Sequence, residues 1–182
     1  MAETLDNSKL IASICAATTD VFSTMIRLEA VPGEPVEEAN SSGTVDGVVA
    51  LIGLAGQWVG AGIIQCDATL ARKLYCHLLM TDAEPAGDGV NEEVLDAVAE
   101  IANMIIGNVK NDVEAMVGTI GMGIPSVVYG RKFTTRNAGA RWIAVPFTCD
   151  GASIWVKVCL TPPALGGSPG ELLGRTRRFQ TA

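Results

Sequence analysis

An α+β fold is predicted, a mostly antiparallel sheet with a long N-terminal helix and a second long helix packed on it. Three observations predict it. Apolar residues recur at helical spacing in two separated segments, 8–28 and 91–117. Short runs rich in Val and Ile, punctuated by glycines, stand between and after them. The resulting order (helix, strands, helix, helix, strands) is that of antiparallel pairs with helices on one sheet.

The first helix rests on Ile11, Ile14, Cys15, Thr18, Val21, Phe22, Met25 and Ile26. Pro32-Gly33-Glu34-Pro35 ends it and starts an extended segment. Strands are predicted at 35–40, 44–54 and 58–66. Asp67 is the expected N-cap of a short helix over 69–79. A loop follows at 82–89. The long helix begins after Asn91, with Glu92 and Glu93 at the positive end of its dipole. Gly118, Gly121 and Gly123 are expected to stop it and turn the chain. They follow a helix and precede no Gly-Lys-Ser/Thr, so they do not form a phosphate loop. Three more strands are predicted at 126–130, 141–149 and 152–160, with Asp150-Gly151 as a two-residue hairpin turn. Arg131, Lys132, Arg136 and Arg141 fall on what reads as another hairpin, as a solvated turn or a steering patch. Trp58, Trp142 and Trp155 sit in strand patterns and read as packing residues. One domain is expected over 1–160. A Pro-, Gly- and Arg-containing tail, 161–182, is expected to be flexible.

The chain has 182 residues, 48% hydrophobic, with mean hydropathy +0.32 and net charge −7. That length builds a core without staples. An acidic chain is a poor binder of nucleic acid, which needs Lys and Arg on phosphates. The five cysteines form no Cys-x-x-Cys and lie in apolar runs, so reduced structural thiols are expected. His77 is the single histidine, which argues against a metalloenzyme or a Ser-His-Asp hydrolase. No signal-peptide pattern opens the chain, and the cytoplasm is the expected compartment. About twenty uncharged residues separate Asp46 from Asp67, enough for a bilayer span. Their glycines and acidic flanks favour two buried strands instead, with no membrane insertion.

The chemistry is predicted on the second long helix, in Glu100-Ile-Ala-Asn103-Met-Ile-Ile-Gly107-Asn108. Val94, Val98, Ile101, Ile105, Val109 and Val113 share one face. Glu93, Asp96, Glu100, Asn103, Gly107 and Asn111 share the opposite one. Glu100 and Asn103, at i and i+3, are neighbours. A Gly inside a helix costs roughly 0.5–1 kcal/mol against Ala. Gly107 therefore suggests that something approaches this face closely. The competing reading of Glu100 and Asn103 is an ordinary solvated face. In the first helix Asp20, Ser23 and Arg27 can be laid on Glu100, Asn103 and Gly107, a short internal echo.

The segment 95–108 resembles the signature helix of the CheX/CheC phosphatases of bacterial chemotaxis. The first helix running into Pro-Gly-Glu-Pro, the Gly-rich hairpin of 47–66, Pro125-Ser-Val-Val-Tyr-Gly130 and Val145-Pro-Phe-Thr-Cys-Asp150-Gly extend the resemblance over about 8–160. It implies removal of phosphate from the phosphoaspartate of a CheY-like receiver domain. It implies Asn103 as the residue orienting the attacking water and Glu100 as the acid engaging a receiver lysine. Asp96, Gly107 and Asn111 become candidate partner contacts, Asp96 and Asn111 at the rim, where a solvated role competes. It implies no cofactor of the chain's own, with Mg²⁺ belonging to the receiver. A single intact motif favours the CheX-like branch and a homodimer built through the sheet. Two other readings stand beside the enzyme: a non-catalytic CheX-like module that binds a receiver or dimerises a complex, and a scaffold pairing through edge strands.

Overall fold

The computed structural model describes residues 5–39, 42–83, 85, 89–136 and 141–162. The expected tail lies outside these residues, except for 161 and 162. The elements are α1 (Asn7–Val21), a π-helical turn (Phe22–Ile26), β1 (Val31–Pro32), β2 (Val36–Ala39), β3 (Ser42–Gly56), β4 (Val59–Cys66), α2 (Ala68–Leu78), α3 (Glu92–Val117), β5 (Ile120–Met122), β6 (Ser126–Arg136), β7 (Arg141–Cys149) and β8 (Ala152–Thr161). The strands form one antiparallel sheet in the order β1-β7-β8-β4-β3-β5, with β2 also on β7 and β6 also on β3. The architecture is α+β, as the spacing of apolar residues predicts.

Several local readings hold. The segment 46–67 is the β3–β4 hairpin, paired from Val48↔Cys66 to Leu54↔Gly60. Asp67 caps α2, its carboxylate accepting from the Leu70 N–H at 2.7 Å. Asp150 and Gly151 have φ of 47° and 78°, the two positive values a type I′ turn needs. Cys66, Cys149 and Cys159 are buried free thiols, whereas Cys15 and Cys76 are only partly covered.

Other readings change. The first helix is α-helical only to Val21. In the π turn after it, Ser23 Oγ and Thr24 Oγ1 both donate to the Asp20 carbonyl oxygen, at 3.1 and 2.7 Å. Hydroxyls bonding back to the helix backbone are a known source of such distortion. Arg27, in the left-handed region at φ 58°, ends it. The glycine-rich stretch after α3 holds a strand, β5, because its backbone pairs with β3 although its sequence has little strand character. The basic residues at 131–141 are not on a two-strand hairpin. Arg131 and Lys132 lie on β6, which pairs with β3, whereas Arg141 opens β7, which pairs with β2 and β8.

The helices share one face of the sheet. Val48, Ala50, Ile52 and Leu54 of β3, Ile64 of β4, and Ile154, Val156 and Val158 of β8 meet them in the main core. The turn of the π helix still buries Phe22 and Ile26 in that core. The helical segment Asn7–Ile26 is long and apolar enough to cross a bilayer by length and composition. Its buried side chains pack in this core, and it lies along α3. A small second cluster of Val45, Val49, Ile63, Trp142 and Cys159 occupies the other face.

One contact sets the height of α3 above the sheet. A Cβ on Gly62 of β4 would stand 2.5–2.8 Å from three side-chain atoms of Ile106. Only a glycine lets Ile106 seat that low. Gly62→Ala is expected to lower unfolding free energy by about 1–3 kcal/mol through overpacking. In an Ile106→Ala background the same change should cost less. Equal costs in the two backgrounds, by urea denaturation, would show that the contact does not seat the helix.

Burial pushes the Cys66 thiol up to about 12, with the Asp67 carboxylate adding to it, and burial raises Cys15, Cys149 and Cys159 as well. These thiols ionise more readily in the unfolded chain, which therefore binds fewer protons above pH 9. Stability is expected to be intact below about pH 9 and to fall as pH rises toward 12 for Cys66. Denaturation midpoints under reducing conditions at pH 8 and pH 10.5 check this. A flat profile would contradict it.

Candidate active site

α3 is held along three sides, and its fourth carries the candidate residues. At its start, Asn91 Oδ1 accepts from the Val94 N–H at 3.0 Å. Tyr75 of α2 donates to Glu93 at 3.1 Å. On one flank Ser13 of α1 donates to Asp112 at 2.7 Å. Near the C-terminus Lys110 Nζ donates to Glu114 Oε2 at 2.7 Å, and Glu114 Oε1 accepts from the Ile120 N–H at 2.8 Å. The Lys110 ammonium and that N–H hold the Glu114 carboxyl below the usual carboxylate range. Glu114 thus clips α3 to β5. Gly118, at φ 84°, then turns the chain into that strand.

Between these ties runs the predicted stripe. Asp96 and Glu100 are exposed, Asn103 and Gly107 partly covered, and Asn111 exposed. The apolar positions Val94, Val98, Ile101, Ile105, Ile106, Val109 and Val113 are buried beneath them. Among the described residues, the side chains of Glu100 and Asn103 make no hydrogen bond or ion pair. The donor and acceptor of the carboxamide are therefore not taken up by the chain itself. Asn111 Oδ1 accepts from Lys110 Nζ at 3.3 Å, which draws it toward the Lys110–Glu114 pair.

A Cβ at Gly107 would meet only Met122 Cε of β5, at the ordinary contact distance of 3.7 Å. Packing within this chain does not demand the glycine. Met122 is also a neighbour that sequence reasoning missed, because the glycines around it read as a turn.

The echo in the first helix does not make a second site. Ser23 is engaged with the backbone oxygen of Asp20, and Arg27 stands where the helix ends. A separate cavity of about 750 Å³ lies beside α2, lined by Arg27, Thr69, Arg72, Lys73, Cys76 and His77 among others. Neither Glu100 nor Asn103 lines it. Among the described residues no three His, Cys, Asp or Glu side chains are grouped to hold a metal ion.

An acid and an amide side by side on one helix face make an open polar surface. Comparison with known proteins gives the fold its family. The family described as chemotaxis phosphatase CheX matches residues 48–148, more than half of the chain. The chain is similar to a CheC-like superfamily protein of Shewanella sp. PV-4, at 27% identity and a TM-score of 0.74, covering 86% of this chain and 99% of that one. It is similar to the chemotaxis protein CheX of Vibrio vulnificus, at 29% identity and 0.72, covering 84% and 99%. It is also similar to a chain of the CheX–CheY complex with BeF₃ and Mg²⁺ from Borrelia burgdorferi, at 27% identity and 0.68, covering 83% and 97%. No curated protein matches it in sequence. The chain belongs to the CheX family of chemotaxis phosphatases.

Because nothing in the fold requires a bare backbone at 107, Gly107→Ala is expected to stabilise the protein by about 0.5–1 kcal/mol through helix propensity. A lower urea midpoint for this variant would mean that the chain itself packs against the glycine.

Proposed function

We propose that the chain hydrolyses the phosphoaspartate of a CheY-like receiver domain, with Glu100 and Asn103 completing an active site that the receiver mostly supplies. Asn103 orients water for in-line attack through one donor and one acceptor of its amide. The water oxygen bonds to phosphorus as the bond from phosphorus to the aspartyl oxygen breaks. The receiver's carboxylate and inorganic phosphate are the products. Phosphoryl transfer depends mainly on positioning and charge stabilisation, so no covalent nucleophile is required. Mg²⁺ sits in the receiver's own acidic pocket. Glu100 pairs with a receiver lysine, and the pair strengthens as docking excludes water. Gly107 lets receiver loops come close to the helix backbone. Asp96 and Asn111 flank this contact.

The observation that carries the reading is the unengaged carboxamide of Asn103 beside exposed Glu100 on a helix locked along its other sides. Family membership supports it, as does the likeness to a chain solved with CheY. The reading extends to a cytoplasmic homodimer built through the sheet, whose outer face exposes Leu51 and Val128.

The test is decay of a ³²P-labelled receiver from the same genome, with Mg²⁺. Wild type is expected to accelerate it, and Asn103→Ala to lose at least about a hundredfold of that acceleration, within the range expected for loss of a positioning group, with an unchanged melt. Binding without acceleration by wild type would replace the enzyme by a receiver-binding module.

A further inference from the structure

β5 and β6 are two halves of one edge strand. Both pair with the same side of β3, with Met122 opposite Leu54 and Ser126 opposite Leu51. Gly123 N–H still donates to Gly53 O at 2.9 Å. Three residues, 123–125, therefore stand opposite two, 52 and 53. The extra residue is a β-bulge at Ile124-Pro125. Bulges bend an edge strand and re-aim a side chain, and they recur beside active sites. They also protect an edge from pairing with another chain.

The side chain that this bulge carries is unusual. Ile124 is 89% exposed, more than any other large apolar residue among those described. It is two residues from Met122, whose Cε lies 3.7 Å from where a Gly107 Cβ would be. Gly107 is one turn of α3 beyond Asn103, a rise of about 6 Å. A protein partner of ordinary interface size covers on the order of 800 Å² of each surface, a disc of about 16 Å radius. A receiver centred on Asn103 therefore reaches Gly107 and Met122, and the bulge continues from Met122 along the same edge strand.

We propose that Ile124, with Met122 beside it, is an apolar anchor for the receiver, burying against an apolar patch at the rim of the receiver's phosphorylation site. The inference rests on the phosphatase reading and deepens it. Glu100 and Asn103 handle charge and water, whereas Ile124 determines how tightly a receiver is held. Its burial removes apolar surface from water without touching the reacting atoms. Ile124 is thus a specificity residue and not a catalytic one.

The test measures binding of a beryllofluoride-activated CheY-like receiver with Mg²⁺, alongside turnover of the phosphorylated form. Ile124→Asp and Ile124→Ala are compared with wild type and Asn103→Ala. Both Ile124 variants should fold normally, since the side chain touches little of its own chain. Ile124→Asp is expected to weaken binding at least about tenfold and raise KM alike, with kcat at saturation unchanged. Asn103→Ala should do the reverse, losing kcat with binding retained. Unchanged binding by Ile124→Asp overturns the anchor while leaving the phosphatase standing. Weaker binding by Ile124→Asp to a receiver that wild type binds but does not dephosphorylate supports the anchor and removes the enzyme. A change in the chain's own association state instead of receiver affinity assigns Ile124 to self-association and overturns the proposal. A wild-type chain that binds no receiver overturns both.

Discussion

The seating of Ile106 on Gly62 is the constraint on which the rest of the site depends. α3 is the helix against which both others pack. Its depth and rotation over β3, β4 and β6 decide which of its residues reach solvent. Ile106 can descend to the sheet only because β4 carries no Cβ at position 62. With that face fully buried, the side opposite, bearing Glu100 and Gly107, is turned outward. A helix raised by one methyl group would also strain the Ser13–Asp112 and Glu114–Ile120 bonds along its flanks.

Those flank bonds divide the polar residues of α3 by task. Asp112, Glu114 and Lys110 are engaged in joining α3 to α1 and β5. The side chains of Glu100 and Asn103, on the same helix, are not engaged by the chain. A surface site of this kind has little chemistry of its own. In the proposed reaction it contributes position and charge, and the metal and electrophile arrive with the receiver.

Much of this was legible in the sequence because it rests on local physics. The period of Val94, Val98, Ile101 and Ile105 identifies the buried face of α3 whatever it packs on. Asp67 and Asn91 cap helices through bonds spanning three residues. Asp150-Gly151 turns the chain through its own dihedral preferences. The π turn was not legible, since Ser23 and Thr24 also suit an α-helix, and only the structure shows both hydroxyls bonded back to the Asp20 carbonyl. β5 was missed because Gly121 and Gly123 favour no strand, and the edge of β3 supplies the pairing.

By itself the sequence determined the α+β class, the buried and exposed faces of α3, and the placing of Glu100, Asn103 and Gly107 on one stripe. Each follows from periodicity or from neighbours a few residues apart. Only the tertiary structure decided that Gly62 lowers α3 onto the sheet, that Asp112 and Glu114 are tied while Glu100 and Asn103 are not, and that Met122 stands beside Gly107. Those are contacts between segments far apart in the chain. No local rule carries them, because they depend on how far apart the packed surfaces come to rest.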